Sequence, residues 1–158
     1  MKTDIVIKNL TDKKMTISTM ESCTGGALVS EITRVPGASV VLKYSAVTYA
    51  NEFKVKMGVQ KEVIDKYTVY SPEVAREMAY HISDFAGSDY GVGITGKFNK
   101  EDPYNKTGEN DKVYISIYDK NKNVYTDLST YVTSDDRRIC KDEVVSLVID
   151  KLAELTEI

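Results

Sequence analysis

The stretch Glu21-Ser22-Cys23-Thr24-Gly25-Gly26 gathers a carboxylate, two hydroxyls, a thiol and two adjacent glycines between a β-prone run, Met15–Thr19, and a helix-prone run beginning at Ala27. A strand that ends in a glycine turn and opens a helix leaves backbone N–H groups pointing past its carboxyl end, a natural seat for an anion or a developing oxyanion. Ser22 sits at that tip. The same residues also read as plain architecture, with Thr24 capping a helix and Gly25-Gly26 permitting a tight turn. Tight turn, anion cradle and nucleophile seat all stay open on these residues alone. Neither G-x-x-x-x-G-K-S/T nor G-x-G-x-x-G is present, which disfavours a P-loop or a dinucleotide fold.

Few other residues offer familiar chemistry. His81, the single histidine, falls within an apolar helical stripe and reads as a core-edge residue, Cys23 as a small buried filler and Cys140 as helix packing. No C-x-x-C or H-E-x-x-H spacing supports zinc, so no metal site is expected, although a carboxylate-bound Mg²⁺ is left open.

The elements that must position Ser22 follow from periodicity. Ile5, Val6, Ile7 and Leu10 suit a short amphipathic helix over residues 3–12. A helix is predicted from about Gly26 to Thr33, stopped by Pro36-Gly37. Ser45–Tyr49 is rich in β-formers, and Asn51–Met57 begins another helix. The clearest helix has Ser71 as N-cap, Pro72 at its first position and Gly87 at its end, with Val74, Met78, His81, Ile82 and Phe85 as its stripe. A glycine-bearing strand, 89–96, precedes a long polar segment, 97–112. Residues 113–119 and 124–132 alternate with period two about a turn and read as a hairpin. A last helix runs from about Ser134 or Asp135 to Leu155, with Ile139, Val144, Val145, Leu147, Val148, Leu152 and Leu155 on one broad face. This order predicts a single α/β domain over residues 1–158, a mixed sheet covered by helices on both faces.

Composition bounds the function class. At 158 residues, with 42% hydrophobic and 28% charged residues of interspersed sign, the chain is expected to fold as one domain without a staple. A net charge of −3 argues against nucleic-acid or acidic-membrane partners. Only two cysteines, no apparent leader and no run of membrane-spanning length predict a cytoplasmic setting.

Several motifs together resemble a known family. Glu21–Gly26, followed at matching separation by Val35–Ser39, Val47–Val59, Val69–Ala79 and Gly93–Gly96, are similar to the CinA C-terminal domain family of competence/damage-inducible proteins, which includes nicotinamide-nucleotide amidases. The resemblance runs from about Met15 to the end. It implies a three-layer α/β/α sandwich, a homodimer, and hydrolysis of the carboxamide of a pyridine nucleotide, nicotinamide mononucleotide, to nicotinic acid mononucleotide and ammonia with no metal or cofactor. On matching positions it implies Ser22 as nucleophile, with Tyr49 and Lys54 handling its proton. It places Glu21, Cys23, Thr24, Gly25, Gly26, Asn51, Gly93, Thr95, Gly96 and Arg137 at the substrate, Arg137 toward a phosphate. A serine needs a neighbouring base; with His81 remote, a lysine is the substitute, provided burial or a nearby cation lowers its pKa.

The chain departs from the family pattern after Gly96. Lys97 stands where proline is usual, the 97–112 loop is longer than its counterpart, and Lys112 replaces a threonine. The loop is expected either to cover the pocket, with Lys97, Lys100, Lys106 and Lys112 joining Arg137 at a phosphate, or to be a solvated insertion. The chain also reads as a stand-alone form without the family's frequent N-terminal domain. Two alternatives to the amidase are therefore kept: a non-catalytic nucleotide-binding or regulatory protein on the same fold, and an amidase for another phosphorylated amide.

Overall fold

The computed structural model describes residues 1–98, 103–104 and 108–157. Their elements are α1 (Thr3–Asp12), β1 (Ile17–Glu21), α2 (Ala27–Thr33), a 3₁₀ turn (Ala38–Val40), β2 (Leu42–Val47), α3 (Asn51–Lys56), α4 (Lys61–Tyr67), α5 (Pro72–Ala86), β3 (Tyr90–Gly96), β4 (Lys112–Asp119), β5 (Val124–Tyr131) and α6 (Arg137–Thr156). The strands form one five-stranded sheet in the order β2-β1-β3-β4-β5. β1 is parallel to both β2 and β3, while β3–β4 and β4–β5 are antiparallel, so the sheet is mixed as the element order predicts.

Helices cover both faces. Val6, Ile7 and Leu10 of α1, Leu28 and Ile32 of α2, and Val144, Val148, Ile149 and Leu152 of α6 join Ile17, Val92, Ile94, Ile115 and Ile117 in one core. Opposite, Val74, Met78 and Ile82 of α5 close on Met20 with Val59 and Val69. β1 and β3, enclosed on both sides, are buried along their whole length. β2 and β5 are the edges, and their side chains are exposed or half-buried throughout. Among the described residues no helix is long and apolar enough to cross a membrane.

The topology creates a crevice. The chain leaves β1 through α2 to reach β2 on one side, then returns through α5 to place β3 on the other. Right-handed crossovers running in opposite directions put their helices on opposite faces, and the strand ends between them stay uncovered. The carboxyl ends of β1, β2 and β3, at Glu21, Val47 and Gly96, meet at this edge.

Several boundaries differ from those expected. β1 begins two residues after Met15 and extends to Glu21, and β2 stops at Val47, leaving Thr48 and Tyr49 in a turn. α4 was not anticipated: it buries no residue fully, so its apolar pattern is faint. α5 has the expected Ser71 cap, whose hydroxyl accepts from Val74 N–H at 3.2 Å, but Phe85 is 65% exposed and lies against Tyr44. The face of α5 turned to the sheet carries small residues, Ala75, Ala79 and Ser83. They meet Gly91 and Gly93, where a built Cβ would stand 2.0 Å from Ala79 O and 2.2 Å from Ala75 O.

That contact is helix backbone, which cannot rotate aside. Gly93→Ala is expected to lower unfolding free energy by at least about 3 kcal/mol, read from urea denaturation. An alanine variant within about 0.5 kcal/mol of the parent would refute the close packing of α5 on β3.

Candidate active site

Glu21 ends β1 with a wholly buried carboxylate. One of its oxygens accepts from the Thr24 hydroxyl at 2.6 Å and Leu28 N–H at 3.0 Å, and the other from Val29 N–H at 3.0 Å and, more weakly, the Thr19 hydroxyl at 3.5 Å. The anion at the start of α2 is therefore the protein's own side chain, in place of the open anion cradle the sequence suggested. Gly25 and Gly26, with φ of +61° and +98°, let the chain fold back so tightly, and a left-handed Gly26 caps the helix.

This turn fixes Ser22. Its N–H donates to Ile94 O of β3 at 3.1 Å, and its carbonyl accepts from Gly25 N–H at 3.0 Å. Its hydroxyl meets Lys54 of α3, whose Nζ donates to Ser22 Oγ at 3.0 Å, Thr48 O at 2.6 Å and Tyr49 O at 3.2 Å. Lys54 is 1% exposed, one of the largest fully buried side chains among the described residues. In place of water, the two carbonyls of the turn after β2 and the Ser22 hydroxyl surround this nitrogen.

Ser22 opens onto a cavity of about 320 Å³ that Tyr49, Tyr70, Lys97, Phe98 and Arg137 also line. Arg137, the first residue of α6, spans its mouth: one guanidinium nitrogen donates to Phe98 O and another to the Tyr49 hydroxyl, each at 3.4 Å, and the group sits over the Phe98 ring. Tyr49 is 62% exposed, so its carbonyl serves Lys54 while its ring forms the outer wall.

The residues expected at a substrate divide in two. Ser22, Cys23, Tyr49, Gly96 and Arg137 line the cavity. Glu21, Thr24 and Thr95 lie wholly buried behind it, with Thr95 donating to Val69 O at 2.9 Å, and Gly93 is pressed against α5. Gly25 backs onto Lys141, Gly26 caps α2, and Asn51 opens α3. Tyr70 and Phe98 have no counterpart in the sequence reading. The signal was slight: an aromatic just before the Ser71 cap, and one in an otherwise polar loop. Lys112 does not face the cavity group; it pairs with Glu109 at 3.1 Å and lies by the Tyr114 and Tyr131 rings. Lys100 and Lys106 are outside the described residues.

A family model described as the CinA C-terminal domain matches residues 2–156. A competence-damage inducible protein of Clostridium perfringens is 49% identical over 94 residues, which are 59% of this chain and 23% of that protein. One from Clostridium botulinum is 35% identical over 154 residues, 94% of this chain and 36% of the relative. The chain thus spans between about a quarter and a third of the length of these relatives. Among solved structures, a competence-damaged protein (CinA) superfamily protein from Klebsiella pneumoniae aligns with a TM-score of 0.89 at 21% identity, covering 98% of this chain and 94% of that one. A competence or damage-inducible protein from Enterobacter asburiae gives 0.89 at 22% identity, covering 98% and 96%. These two share the fold.

Cys23, beside Ser22, is 4% exposed, and burial pushes its thiol up to about 12 despite the opposing charge of Lys54. At pH 8 about one molecule in ten thousand then carries the thiolate, the reactive form. Native protein is expected to leave Cys23 unmodified by iodoacetamide at pH 8, as read by mass spectrometry, and to alkylate it fully once unfolded. Rapid native labelling of Cys23 would overturn the buried-thiol assignment.

Proposed function

Because the chain belongs to the CinA C-terminal domain family and holds a buried lysine against the serine of its strand-to-helix turn, we propose that it is a serine amidase acting on nicotinamide mononucleotide, releasing ammonia and nicotinic acid mononucleotide. The observation that carries the proposal is the 3.0 Å contact between Lys54 Nζ and Ser22 Oγ at the floor of the cavity.

In its neutral form, with its N–H bonds on the Thr48 and Tyr49 carbonyls, Lys54 takes the Ser22 proton as Oγ attacks the amide carbon, and the carbonyl π electrons move to oxygen. Collapse of this adduct breaks the C–N bond, and the departing nitrogen takes a proton to leave as ammonia. The Tyr49 hydroxyl, whose oxygen accepts from Arg137 and whose proton is thereby left to donate, supplies it and is reprotonated from the Lys54 ammonium. Water then attacks the acyl-serine ester, Lys54 takes its proton, and the acid departs as Ser22 regains its hydrogen. The aromatic lining suits a flat heteroaromatic ring, and Arg137 suits its attached phosphate.

Ammonia release from nicotinamide mononucleotide is the test. Ser22→Ala is expected to lower kcat by about a thousandfold or more, and Cys23→Ala to leave it within about threefold. Lys54→Arg keeps the charge but not a base and should fail equally. Tyr49→Phe should lower kcat more than it raises KM. Wild-type protein that releases no ammonia, yet reacts at Ser22 with a fluorophosphonate, would point to a different amide. No reaction at Ser22 would favour a binding protein.

A further inference from the structure

Lys97 is the first residue past β3, and its side chain is among the most enclosed charged groups of the molecule at 3% exposure. Its N–H donates to Lys112 O at 3.2 Å, which pins its backbone to the start of β4. Its ammonium lies over the Tyr70 ring, 5.2 Å from the centroid, and lines the same cavity as Ser22 and Arg137. Among the described residues no carboxylate is within ion-pair distance of it.

An enclosed ammonium without a carboxylate is unfavourable, and one aromatic face compensates for only part of its lost hydration. A ring face is a weaker acceptor for its N–H bonds than an oxygen. The cavity is also unlike the rest of the chain. The protein has 24 acidic residues against 21 lysines and arginines, yet the described lining holds two cations, Lys97 and Arg137, and no acid. Two positive charges match a phosphate monoester, which carries about −1.5 to −2 at neutral pH, better than they match a single carboxylate. Lys112 is committed to Glu109, so of the two described lysines of this segment the one turned to the cavity is Lys97.

We propose that Lys97 is a specificity-determining residue of this cavity: its ammonium, braced on Tyr70, contacts the phosphate of a phosphorylated ligand together with Arg137. The inference rests on the amidase reading only in taking the cavity as the ligand site. In a chain whose resemblance leads to proline at this position, Lys97 makes the phosphate requirement stricter than Arg137 alone would.

The test uses ligands without an amide, so turnover does not enter. Calorimetric titration of the full chain with ribose 5-phosphate and with ribose is expected to give at least about tenfold tighter binding of the phosphate. Lys97→Gln should weaken ribose 5-phosphate by about tenfold or more and leave ribose unaffected, whereas Lys112→Gln should change neither. Should Lys97→Gln fail to fold, wild-type protein labelled at lysine nitrogen decides: ribose 5-phosphate, but not ribose, should shift the Lys97 ammonium resonance. Equal affinity for the two sugars, binding of neither, or a folded Lys97→Gln with parental affinity overturns the inference. Each of those results leaves ammonia release, and with it the amidase reading, to stand or fall separately.

Discussion

A single enclosed carboxylate organises the working edge of this protein. Glu21 has no access to water, and an ion in that position is tolerated only when its oxygens are filled by donors of good geometry. Leu28 and Val29 supply two N–H groups from the positive end of α2, and Thr24 a hydroxyl, so strand end, turn and helix start are tied to one point. Ser22 lies inside that loop of contacts. Its position is thus set by the electrostatics of its neighbour rather than by its own side chain. Removing the carboxylate would orphan buried donors and free the turn together, which couples the stability of this corner to the geometry of the hydroxyl.

Around this point the fold brings three strand ends together, and each contributes differently. The end of β1 gives Ser22, the turn after β2 gives two carbonyls that hold Lys54, and the residue after β3 gives Lys97. α6 adds Arg137 from the far end of the sequence, where Asp136 caps the helix by accepting from Arg138 N–H at 2.9 Å. Because these pieces sit on separate connections, the groups that would do chemistry can differ from those that would choose a ligand. α5 meanwhile packs so closely on β3 that the sheet behind them has little room to shift.

Much of this was legible in the sequence where one residue type carries one physical role. Ser71, Pro72 and Gly87 mark α5, and the two-residue period marks β4 and β5. The misplaced faces of α5 and α6 have a common cause: large apolar residues were taken to mark the buried side. Phe85 and Ile139 are largely exposed, whereas Ala75 and Ala79 face the sheet because Gly91 and Gly93 admit the helix there. Small-against-small packing leaves no strong hydrophobic period to read. At the site, the hydroxyl and glycines of residues 22–26 were readable by type. Lys54 came into view only through resemblance, since nothing local distinguishes a buried lysine from a solvated one. Arg137 was likewise named only through resemblance, and Tyr70, which reaches the cavity from a distant part of the chain, was hidden by its separation in sequence.

The two carbonyls that hold Lys54 belong to the backbone of Thr48 and Tyr49, not to their side chains. The orientation of the amine is therefore encoded in the path of the chain and is indifferent to which amino acids occupy those positions, so long as the turn keeps its shape. A scan by side-chain replacement would be blind to the contribution, and only chemistry that alters the peptide group itself, such as an amide-to-ester exchange that weakens the carbonyl as an acceptor, would expose it.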